Sequence, residues 1–474
     1  MVNGSDSPSP AQPQPGTPEA PSLAPGPNGN SIAPSSESDG DRINLPASPE
    51  TAPVYVRKKS EFLGLRRALD GMQVLLVLIL AFFCASFAIR NSDFFLHLAS
   101  GRALSQGSYQ FGVDPFSYTT EGIYWVNHSW LYDLGIYHLF NWVGGSGLVV
   151  IKASMVFLLA LVMLQIRRKD QGIWIPALCT GLAVLALSPR LYLSPVIVSY
   201  LFLAITLCLL TWRSAEESEG LEVKSEEDRA KQRKSLQYRC LALILMVGLW
   251  ANLDAWFILG PITIGLFLLG EVIQGLLAPV EPGRASSLAK ERQWLGLTFI
   301  GSLAVCLLNP HHVKVFELPL ELSASVPSEI TKNPIFAGAF QSPWMREYWK
   351  TPEQGANVAG IAYFPLVLLG LLSFLANSSN FRWWRLLVWG AFLFASALRV
   401  RTVPFFAIVS GPIMALNFQD FAAAIWPKLT ARSTGMVAWL VWGRVISFLV
   451  LLGLVLAAWP GLLQATPHEN RHVN

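Results

Sequence analysis

The sequence predicts an all-α fold, a polytopic transmembrane helical bundle of about eleven spans with a long outer loop that carries interfacial helices. Three observations predict it. Of 474 residues, 52% are apolar and 14% charged, where a soluble domain carries about 25% charged residues. The apolar residues fall into separate stretches, each near the roughly 20 residues that cross a bilayer. Lys and Arg gather on alternate connections between those stretches, which is the positive-inside pattern.

Residues 1–56 hold 12 of the 31 prolines, with Ser, Gly and Asn between them and little to bury; they read as a disordered tail. The basic cluster Arg57, Lys58, Lys59, Arg66 and Arg67 then precedes the first apolar run, which places the N-terminus in the cytoplasm. Hydropathy places spans at 71–89, 147–166, 173–188, 195–212, 236–251, 256–277, 295–308, 358–376, 383–398, 404–418 and 443–459. The transmembrane domain therefore runs over 57–460, with a short C-terminal tail at 461–474. The pieces 94–106 and 129–142 read as helices at the outer interface, because Asp133, His138 and Asn141 suit a surface position.

Charge supports that division. Cytoplasmic segments next to the spans hold 23 Lys and Arg, against ten in the longer outer segments. Making 129–142 a span would invert Arg167, Arg168 and Lys169 and all that follows. Lys152 and Glu271 lie near span ends, where a snorkelling stem suffices.

The five cysteines lie in or beside apolar stretches with no CxxC pair, so they read as packing residues. With basic residues sorted by membrane side, nothing points to nucleic acid. No HExxH or GxxxxGK[ST] motif is present.

Reactive side chains concentrate in two long outer segments, 90–146 and 309–357, and in short outer breaks. Asp93 and His97 stand one helical turn apart, at the spacing that could share one proton or one metal. Asp114, His128, Asp254, Arg190, His311, His312, Arg399 and Arg401 join them on that side. A single outward-facing polar site is the simplest reading. The tryptophans Trp125, Trp130, Trp344 and Trp349 offer flat faces for a ring, or an aromatic belt.

The pieces "DPFSYT", "WVNHSWL", "LSPRLYLSPVIVSYLF", "WANLDAW", "LNPHH" and "RTVPFFAIVSGP" give the chain, over roughly 70–420, a resemblance to bacterial multi-pass membrane proteins related to GT-C glycosyltransferases. That resemblance implies a sugar transferred from a polyprenyl-phosphate-linked donor to a glycan, lipid or protein acceptor at the outer face of the bacterial inner membrane. It implies inversion by direct displacement, with Asp93 as base. His97 and His128 would orient the base or bind a divalent metal, which stays open. Arg190, Arg399 and Arg401 would hold the donor phosphate. The chain departs from the pattern at Ser129 and Asp254, where Glu and His are expected; a non-catalytic relative is one alternative and a secondary transporter is another.

Overall fold

The computed structural model describes residues 54–120, 122–168, 171–218, 226–277, 282–318, 340–351, 355–430 and 435–463. All that follows concerns the compact unit Lys58–Asn474. The reading of residues 1–53 as a tail, and that of 464–474, lie outside the described residues.

The described chain is all-helical apart from a two-residue antiparallel ladder, Lys350–Thr351 with Gly355–Ala356. Its α-helices are α1 (Val54–Ala85), α2 (Asp93–Ser105), α3 (Trp130–Gln165), α4 (Trp174–Leu187), α5 (Val196–Ser218), α6 (Glu226–Trp250), α7 (Leu259–Leu277), α8 (Pro282–Val305), α9 (Val358–Ala376), α10 (Trp383–Leu398), α11 (Val403–Thr430) and α12 (Gly435–Ala458), with a single turn at Arg346–Trp349. Each apolar stretch of the sequence falls on one of these helices. Four helical stretches are both long and apolar enough to cross a membrane: Gly64–Ala85, Trp130–Gln165, Ala255–Leu277 and Val400–Ile425. Five shorter apolar helices accompany them. Prolines mark several starts: Pro176, Pro261 and Pro404 lie in first turns, and Pro195 stands just before α5. There the missing N–H has no helical partner to lose.

The 36 residues of α3 are two helices in succession. Gly144, at φ 68° and ψ −176°, breaks the run, a backbone state that costs glycine nothing. The sequence division between 129–142 and 147–166 falls on this break. The segment before it packs against α2, where a Cβ on Gly101 would collide with the carbonyl oxygen of Asp133.

α11 is the axis of the bundle. The apolar window of its stretch is 89% buried, against 39–44% for the other three long stretches, and it contacts α4, α5, α9 and α10. At its Thr430 end the helices are tied by charge. Asp420 receives Arg168 Nη1 at 2.7 Å and Arg385 Nη1 at 2.6 Å, while Arg444 Nε donates to Asp70 at 2.8 Å. A sequence expectation fails at Lys152. It does not snorkel: it is fully buried, its Nζ donates to the Phe87 carbonyl at 3.1 Å and sits 3.5 Å from the centre of the Phe87 ring. The ammonium satisfies a carbonyl just past the end of α1, where a cation is electrostatically favoured.

Candidate functional site

At the opposite end of the bundle, four connections converge on the first segment of α3. Leu131 N–H donates to the Asn252 carbonyl at 3.2 Å, and Trp130 Nε1 to Asn252 Oδ1 at 2.9 Å. Asn309 Nδ2 reaches the Ala251 carbonyl at 2.8 Å, and Val400 N–H reaches the Gln341 carbonyl at 2.9 Å. With His128 Nε2 2.9 Å from the Val315 carbonyl and the Arg401 guanidinium 5.9 Å from the Trp256 ring centre, these bonds gather 127–131, 251–256, 309–315, 341 and 400–401 into one polar cap.

The best-ordered unit of this cap is a His–Asp pair. His97 Nδ1 lies 2.7 Å from Asp133 Oδ1, and Asn127 Nδ2 donates to Asp133 Oδ2 at 2.9 Å. Asp133 is 1% exposed and belongs to the segment that the sequence places on the surface. Contact with α2 buries it instead. Burial alone would lower the His97 pKa, but the Asp133 hydrogen bond and the charges of Asp133, Asp93 and Asp254 outweigh burial and hold it above its ordinary value.

Asp93 does not share a proton with His97. It stands exposed at the start of α2 and accepts from Asn91 Nδ2 at 2.6 Å; Asn91 Nδ2 is also 2.9 Å from the Leu193 carbonyl. Asp254 is buried in the break between α6 and α7 and accepts from Ser199 Oγ, which in turn accepts from Trp250 Nε1 at 2.6 Å. Burial pushes the Asp254 carboxyl up to about 6, against hydrogen bonds from Ser199 and from the backbone of Ala255 and Trp256. The Tyr132 hydroxyl, buried with no hydrogen-bond partner among the described residues, lies within electrostatic range of Asp133, Asp93 and Asp254.

The arginines come to the same region. Tyr200 is within electrostatic range of Arg190, Asp254 and Arg401, and the guanidiniums of Arg399 and Arg401 lie 5.6 and 5.7 Å from the Phe340 ring centre. Burial, then the neighbouring Arg401, lowers the Arg399 pKa.

Other predicted site residues are taken up by local hydrogen bonds and packing, or stand exposed. His128 is buried, its Nε2 at 2.9 Å from the Val315 carbonyl and its ring stacked on Phe257. A carbonyl only accepts, so Nε2 carries the proton and His128 is held as a packing residue; burial lowers its pKa. Asp114 closes a turn by accepting Phe116 N–H at 2.9 Å. His312 is exposed, with φ 49°. His311 is buried and bridges Tyr124 and Asn127.

Sequence reasoning missed Asp133 and Asn127 as a supporting pair, and Ser199 behind Asp254. One signal was present: Gly101, one turn beyond His97 on the same face, marks where another backbone comes close. Among the described residues, no group of three or more His, Cys, Asp or Glu side chains is arranged to hold a metal ion.

Comparison with known protein families finds no match to this chain, and comparison with curated proteins finds none.

Proposed function

We propose that this chain is a membrane glycosyltransferase of GT-C-like architecture. It crosses the bacterial inner membrane eleven times, on α1, the second segment of α3, and α4 to α12, with its N-terminus in the cytoplasm. Its polar cap faces outward and takes a polyprenyl-phosphate-linked sugar. The break at Gly144 supports this topology, since it lets 130–143 turn along the interface before the chain crosses.

One observation carries the catalytic reading. Asp133, Asp93 and Asp254 all lie within electrostatic range of His97, and Arg190, Arg401 and Asp254 all lie within electrostatic range of Tyr200. Transfer to a hydroxyl acceptor needs both kinds of group side by side. Asp93, the exposed carboxylate, takes the acceptor proton as the acceptor oxygen bonds to the anomeric carbon. The bond from that carbon to the phosphate oxygen breaks with its electron pair. The departing phosphate is met by Arg190 and Arg401.

The test uses the full chain in proteoliposomes with a radiolabelled polyprenyl-phosphate sugar. Asp93→Asn keeps the shape but cannot ionise, so turnover should fall by about 10²-fold or more while donor retention persists. Arg401→Ala should release donor instead. Wild-type turnover in a correctly inserted Asp93→Asn protein would overturn the assignment.

A further inference from the structure

A cavity lies between residues 112–118 and 122–124. It encloses about 470 Å³ and is lined by Val113, Asp114, Ser117, Tyr118, Ile123 and Tyr124, with Gly112 and Gly122 at its floor and rim. Its volume suits a small ligand. Among the described residues, the lining has one acidic side chain, three hydroxyls, two of them phenolic, and no basic group.

Tyr124 is the wall that is held most firmly. Its hydroxyl lies 3.1 Å from His311 Nδ1, and Asn127 N–H donates to His311 Nε2 at 3.2 Å. A nitrogen that accepts from a backbone N–H carries no proton, so the neutral imidazole has its proton on Nδ1. His311 stays neutral because burial and then the neighbouring imidazole of His128 push its pKa down to about 4, against its bond with Asn127. The Tyr124 oxygen therefore accepts from His311. Its own proton has no acceptor among the described residues and is directed away from His311. Lys314 Nζ sits 4.0 Å from the Tyr124 ring centre, drawing electron density from the phenol and making its O–H a better donor. Below the ring, Gly112 at φ 92° leaves room that any Cβ would fill by running into Tyr124. Its carbonyl accepts Trp125 N–H at 2.9 Å, so the ring is fixed from beneath as well.

We propose that this cavity binds a neutral, polyhydroxylated ligand of saccharide class, with the Tyr124 hydroxyl as the donor to a ligand oxygen and His311 as the residue that orients it. As the acceptor-side subsite it rests on the transferase reading given above. The binding itself needs no donor and no transfer. Asn127 is the hinge between the two sites: its backbone orients His311 while its side chain holds Asp133.

The experiment is saturation-transfer NMR on the full chain in nanodiscs, with no polyprenyl donor present. The probes are methyl α-glucoside, methyl α-mannoside and methyl α-galactoside, with glucuronate as the anionic comparison. At least one neutral glycoside should be saturated by the wild type, in preference to glucuronate. Tyr124→Phe should weaken it roughly two- to tenfold, the worth of one hydrogen bond. His311→Leu should do the same, whereas His311→Gln, able to accept from Asn127 and donate to Tyr124, should restore binding. No saturation by any neutral glycoside, stronger saturation of glucuronate, or wild-type binding by Tyr124→Phe would each overturn the proposal. Failure of sugar transfer with glycoside binding intact would count against the transferase reading alone.

Discussion

Asn127 grips Asp133 with its side-chain amide, Nδ2 to Oδ2 at 2.9 Å, and so completes the support of the carboxylate that faces His97. The amide oxygen of Asn127 meanwhile accepts Ser129 N–H at 3.0 Å and Ser129 Oγ at 3.1 Å. Asn127→Ala removes all of these but keeps the backbone N–H that orients His311. It should cost about 1–3 kcal/mol, because a buried carboxylate oxygen loses its donor. Thermal unfolding in detergent measures the loss, and glycoside saturation through Tyr124 should persist.

The His97–Asp133 pair makes stability depend on pH. His97 binds its proton more tightly in the folded chain than its ordinary value of 6.5. The pair's contribution is therefore complete below about pH 6.5 and is lost as pH rises through the folded value. Melting temperatures of the wild type taken across pH 5.5 to 9 should decline relative to those of Asp133→Asn. Parallel curves for the two proteins would show that the pair does not titrate as described.

Asp420 neutralises two guanidiniums at the other end of the bundle. Its replacement by Ala leaves Arg385, 5% exposed, and half-buried Arg168 without their shared carboxylate. Breaking one side of a buried pair costs about 3–5 kcal/mol. Asp420→Ala should be poorly folded in detergent, and Arg385→Met in the same chain should recover part of the loss. Equal unfolding temperatures for Asp420→Ala and the wild type would remove Asp420 from the account.

Gly101 sets how closely α2 approaches the first segment of α3. A methyl there must displace one helix from the other, because the obstacle is the backbone oxygen of Asp133 and not a side chain that can turn aside. Gly101→Ala should destabilise by about 1–3 kcal/mol and lower any transferase rate. Combined with His97→Gln, the loss of rate should be less than the product of the two.

Orientation is tested by labelling with a membrane-impermeant thiol reagent in a cysteine-free background. Tyr118, 90% exposed in the outer loop, should be labelled as Tyr118→Cys in intact cells. Ser225→Cys should react only after permeabilisation. The opposite pattern would reverse the topology and put the cap in the cytoplasm.

The helical class and the position of each apolar helix were legible in the sequence, because hydropathy acts over a few turns, and the division between 129–142 and 147–166 was legible from the polar residues of the first piece and the Lys and Arg asymmetry. Partnership was not legible. Asp93 and His97 satisfy the spacing rule, but His97 turns to Asp133, 36 residues away, because Gly101 lets α2 lie close on α3. Asp133 and Lys152 read as polar residues near water, and both are buried at 1% and 0% exposure. His128 and His311 look alike in sequence, and the Val315 carbonyl holds one as packing while Asn127 and Tyr124 take up the other. Tertiary structure decided these cases because a side chain's burial and hydrogen-bond partners depend on which backbone comes to lie across from it.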